Sequence, residues 1–140
     1  RVAAEALRAM AEARPLERGP DGLPTRGLIV RHLVLPGRLD ATREVLAWFR
    51  EHLAGRALLS LMSQYTPIPG QALPPPFDRG LSRGEWDEAL AALEELGIED
   101  GYVQEFEPGT GWLPDFGRER PFSAELSRMV WHARDGAPAG

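Results

Sequence analysis

Neither cysteine nor lysine occurs anywhere in the 140 residues. Without cysteine the chain can form no disulfide of its own and no metal site on its own thiolates. Without lysine all 16 basic side chains are arginine, beside 15 glycines and 13 prolines. That bias matches a GC-rich coding sequence and carries no functional reading. A basic surplus is also lacking: the net charge is −5, which argues against a dedicated nucleic-acid binder. No apolar run approaches the roughly 18 residues a membrane span needs, and no signal-peptide pattern opens the chain. Glycine-rich phosphate loops and a Ser-His-Asp arrangement are missing as well. These absences set the expectation of a cytoplasmic protein that engages neither nucleic acid nor membrane.

What is present is the composition of a globular domain, 43% hydrophobic and 26% charged. The chain enters at Arg1 directly on a helical pattern and reads as the remainder of something longer. Residues 2–13 (VAAEALRAMAEA) predict a helix with Val2, Ala6, Met10 and Ala13 on its apolar face. A turn-rich connector follows. Leu28–Leu35 is a near-continuous branched run ended by Pro36-Gly37, as in a strand buried on both faces. Asp40 is placed to cap a helix to about Leu53, with Val45, Leu46, Phe49 and Leu53 facing inward.

A second strand is expected at Ala57–Ser63. The segment Gln64–Gly80 then holds five prolines and cannot be regular structure. Ser82-Arg-Gly-Glu85 fits a capping box, with Leu81 able to staple onto Trp86, and predicts a helix to Gly97. A third strand is expected at Gly101–Phe106, and a short helix at 123–134. Alternation of this kind predicts an α/β fold built of parallel βα units with right-handed crossovers.

In parallel α/β proteins ligands bind beyond the carboxyl ends of the strands. Those ends here carry Pro36-Gly37, Ser63-Gln64-Tyr65 and Gln104-Glu105. Within the first strand, period-two geometry puts Arg31 and His32 on opposite faces. A guanidinium in such a run meets either an anionic ligand or an acidic side chain, and arginine geometry suits both. His32 reads as a packed, hydrogen-bonded histidine under the helices. His52 and His132 are not spaced with it for a metal. Gln64 and Tyr65 suit hydrogen bonding to a nucleoside or peptide, or ordinary loop anchoring. Glu94, Glu95, Glu99 and Asp100 read as a solvated helix end.

Three stretches, GLIVRHLVLPG, SLMSQYTP and LSRGEWDEALAALEELGIEDGYVQE, resemble in order and spacing one family. They are similar to the C-terminal half of radical S-adenosylmethionine proteins related to pyruvate formate-lyase-activating enzyme. The resemblance covers about residues 1–116. It implies the last three βα units of a partial (βα)6 TIM-like barrel, residues 1–117, followed by a tail at 118–140. It also implies a [4Fe-4S] cluster held by a CxxxCxxC loop, reductive cleavage of S-adenosylmethionine, and hydrogen abstraction from a protein or peptide substrate. Arg31 matches the inward arginine of the family's R-x-x-x-x-P-G strand, near the cofactor's methionyl moiety. Tyr65 and Gln64 match the strand end that approaches the nucleoside.

The chain departs from the family at one decisive point. It has no cysteine, so cluster ligands must lie outside it, and the 140 residues cannot run the reaction alone. The alternative is a non-catalytic α/β binding or interaction module that kept the scaffold. Half a barrel also leaves an inner face open, expected to include Leu28, Ile29, Leu33 and Met62.

Overall fold

A computed structural model describes residues 2–106. The expected helix at 123–134 and the 118–140 tail lie outside the described residues. The elements are α1 (Val2–Ala13), β1 (Glu17–Arg18), β2 (Pro24–Arg26), β3 (Ile29–Leu33), α2 (Leu39–His52), β4 (Leu58–Met62), α3 (Arg83–Glu95) and β5 (Gly101–Val103). Strands β3, β4 and β5 form one parallel sheet in that order, and β1–β2 is a separate antiparallel ribbon. The fold is mixed α/β, and among the described residues the sheet does not close into a barrel. All three predicted sheet strands are present, each shorter than its apolar run. The ribbon, within the turn-rich connector, was not anticipated from sequence.

The register separates the sheet into two unlike faces. Val30 and His32 of β3 align with Leu59 and Leu61 of β4, and these in turn with Gly101 and Val103 of β5. Leu59 and Leu61 are buried in one cluster with Leu46 and Phe49 of α2, Leu53 at its C-cap, and Trp86, Ala89 and Ala92 of α3. Each large side chain buried this way contributes roughly 1.5–3 kcal/mol. Gly101 is required where β5 meets β4: a Cβ there would lie 2.1 Å from the Leu59 carbonyl oxygen. The opposite row, Ile29, Arg31 and Leu33 with Leu58, Ser60 and Met62, faces away from the helices. Leu28, expected on that face, instead packs against the helix-side core, as its parity with Val30 requires.

Two local expectations are corrected. In α1 the inward face is Ala4, Leu7 and Ala11, whereas Val2 is 82% and Met10 46% exposed. Alanine lies all round this helix, so hydrophobic contrast was too weak to select its face. In α2 the N-cap is Arg38, with no side-chain cap, and Asp40 lies in the first turn, 3.7 Å from the Arg38 guanidinium. There its charge still complements the helix dipole. The capping box of α3 forms as predicted, and Leu81 and Trp86 are both buried.

Candidate functional site

The sheet face turned away from α2 and α3 and the rim at the carboxyl ends of β3 and β4 carry the chemistry-bearing residues. Arg31 sits mid-strand in β3, in register with Ser60 of β4, which in turn aligns with Tyr102 of β5. It is exposed, and among the described residues its guanidinium has no hydrogen-bond or ion-pair partner. Ile29 and Tyr102 on the same face are 51% and 53% exposed. At the other end of the face the ribbon approaches: Leu16 and Pro24 line a cleft of about 200 Å³ with Ile29, Leu58 and Tyr102. Leu58 is thereby 4% exposed although it points away from the helices.

His32 takes the other face, as its parity dictates. Its Nε2 lies 3.1 Å from the Thr42 hydroxyl of α2, and burial holds its pKa below the ordinary histidine value. It is a packing histidine between β3 and α2. His52 is likewise engaged, its ring stacked on Trp48 at 4.9 Å and its Nδ1 3.0 Å from the Trp48 carbonyl.

Beyond β4, Tyr65 is half-buried and its hydroxyl donates to the Phe77 carbonyl at 2.8 Å, tying the proline-rich segment across its neck. Gln64 Oε1 accepts from the Gln104 side-chain amide Nε2 at 3.5 Å, while Gln104 Oε1 accepts from the Ser63 N–H at 3.1 Å. The predicted rim residues of β4 and β5 are therefore linked to each other. Arg31 is not bonded to any of them.

Sequence reasoning missed a fourth participant. Glu85 forms the capping box of α3, and its Oε1 also accepts from the Gly37 N–H at 2.7 Å. Arg79 donates to both carboxylate oxygens, at 2.7 and 2.8 Å. This pairing, reinforced by the backbone N–H groups of Ser82 and Gly37, holds the Glu85 carboxyl well below the usual carboxylate range, against partial burial. The capping-box signature marked Glu85 only as a helix start; its reach to Gly37 is a tertiary contact with no local signal. The acidic cluster near residue 95 is a solvated helix end, as expected, with two surface ion pairs. Glu95 pairs with Arg43 at 2.9 Å and Asp100 with Arg18 at 2.7 Å.

Among the described residues no group of three His, Cys, Asp or Glu side chains could hold a metal ion, and no helix is long and apolar enough to cross a membrane. No family model matches the chain, and no curated protein or solved structure is significantly similar to it. The class that fold and site define is an α/β protein whose parallel sheet carries helices on one face and a cationic centre on the other.

Proposed function

We propose that this chain is the C-terminal part of a radical S-adenosylmethionine enzyme of the pyruvate formate-lyase-activating type, with β3, β4 and β5 as the last strands of a partial barrel. The observation that carries the reading is Arg31: midway along the edge strand β3, on the sheet face turned away from α2 and α3, its guanidinium has no partner among the described residues. A barrel interior is where such a side chain meets an anion, and the methionyl carboxylate of S-adenosylmethionine supplies one in bidentate geometry. Tyr65 and Gln64, at the end of β4, would flank the nucleoside. The cofactor, when bound and reductively cleaved, supplies the hydrogen-abstracting group, and the target is a protein or peptide in a cytoplasmic setting.

The iron–sulfur cluster does not fit the residues present. With no cysteine in the chain its ligands belong to another segment, and no step through the cluster is assigned to these residues. That same absence favours the second reading, a non-catalytic α/β interaction module. An in-frame CxxxCxxC upstream of Arg1 in the coding sequence supports the enzyme, and a start codon near Arg1 supports the module.

The test is titration of the full-length protein with S-adenosylmethionine. Replacing Arg31 by Leu removes a charge-assisted contact of roughly 1.5–3 kcal/mol and is expected to weaken binding about 10- to 150-fold. His32→Leu, on the helix side, is expected to leave affinity nearly unchanged. Wild-type affinity in Arg31→Leu, or the reverse pattern between the two variants, overturns the assignment.

A further inference from the structure

The Glu85 carboxylate makes contacts that a helix cap does not require. A capping box needs the Ser82 N–H, which Glu85 Oε2 accepts at 2.9 Å. The same carboxylate also accepts from Gly37, 48 residues earlier in the turn after β3, and from both terminal nitrogens of Arg79. With the Ser82 hydroxyl at 2.8 Å, both its oxygens are fully engaged, and its side chain is 14% exposed.

Two further contacts bear on the same place. Gly37 has φ +65°, and a Cβ there would lie 2.5 Å from Pro76 Cγ, so the proline-rich segment rests directly on the turn after β3. Two residues before Arg79, the Phe77 carbonyl accepts the Tyr65 hydroxyl. The limb 76–79 is therefore fixed at three points, while Ile68 near the apex stays 53% exposed.

We infer that Glu85 is a positioning residue, a latch that fixes the turn after β3 and the 64–80 segment as one rigid rim and so sets Tyr65 relative to Arg31. It reaches Tyr65 through Arg79 and Phe77, and β3 through Gly37, without touching either ligand-facing side chain. The inference that the latch serves a ligand rests on the function proposed above; the latch itself rests on the contacts alone.

Hydrogen-exchange mass spectrometry on the full-length protein separates latch from cap. Arg79→Gln leaves the capping box intact and is expected to speed exchange across 64–80 about tenfold or more, with α3 still protected. Arg79→Lys keeps the charge but not the two-pronged geometry and is expected to fall in between. Ser82→Ala is expected to loosen only the first turn of α3. In the same variants S-adenosylmethionine affinity is expected to follow loop exchange rather than thermal stability. Unchanged loop exchange in Arg79→Gln, or equal loosening of the loop by Ser82→Ala, reduces Glu85 to a helix cap and overturns the proposal. If the wild type binds no S-adenosylmethionine, the function proposed above falls, and the exchange pattern alone still decides the latch.

Discussion

A histidine pressed against a helix and a carboxylate ringed by donors respond to acid in different windows. Because burial lowers the pKa of His32 in the folded state, the unfolded chain takes up its proton first as pH falls. The contribution of neutral His32 is complete above about pH 6.5 and is lost as pH falls toward the folded value. Replacing it with Gln, which stays neutral and keeps a polar group near Thr42, is expected to flatten the fall in stability between about pH 7 and 5, measured by urea unfolding. Glu85 titrates much lower. Its folded pKa lies well below the carboxylate range, so its contribution is present above about pH 4.3 and is lost only in strong acid. Mild acid is therefore expected to weaken the β3–α2 contact before the rim. A wild type and His32→Gln with parallel pH profiles would rule this out.

The elements differ in how openly the sequence declared them. Helix α3 was readable almost to the residue, because Ser82 and Glu85 lie three residues apart and their capping bond is local. Strand β3 was readable as a branched apolar run, and its parity correctly divided Arg31 from His32. The β1–β2 ribbon was not, since two- and three-residue strands among prolines and glycines carry no periodicity to detect. The site was half legible: residue type singled out Arg31 and Tyr65, but nothing local reveals that Glu85 reaches Gly37. Energetics follow the same division. Trp86, 2% exposed, anchors α3 to the sheet, and Trp86→Ala is expected to cost about 3–5 kcal/mol in denaturant unfolding. Ser82→Ala removes only one end of the cap, and about 1 kcal/mol is expected. Gly101→Ala is expected to detach β5 from β4, seen as loss of amide protection at Tyr102 and Gln104, because its methyl would collide with the Leu59 carbonyl.

At the scale of the whole molecule, the described helices α2 and α3 pack on one side of the sheet. Ile29 and Tyr102 stand half exposed on the other side, and among the described residues neither the outer edge of β3 nor that of β5 has a strand beside it. Such edges and faces recruit other chains. The 140-residue chain by itself is expected to self-associate with rising concentration in sedimentation velocity. Ile29→Glu combined with Tyr102→Arg is expected to restore the monomer without lowering the unfolding midpoint. A wild-type chain that stays monomeric and melts sharply would contradict this.

The order of the sheet also sets an order in time. Strands β3 and β4 pair along their full length, Ile29 with Leu58 through Leu33 with Met62, and only α2 and its turns intervene. Strand β5 must wait for the 64–80 segment and α3, and then pairs through three residues only. Chain closure is slightly less costly for the nearer pair, and φ-values higher in β3, α2 and β4 than in β5 are the expected outcome of a mutational folding study. Synthesis delivers the pieces in that sequence. As β4 emerges, Leu46, Phe49, Leu59 and Leu61 can close around one another before Arg79 and Glu85 reach Gly37.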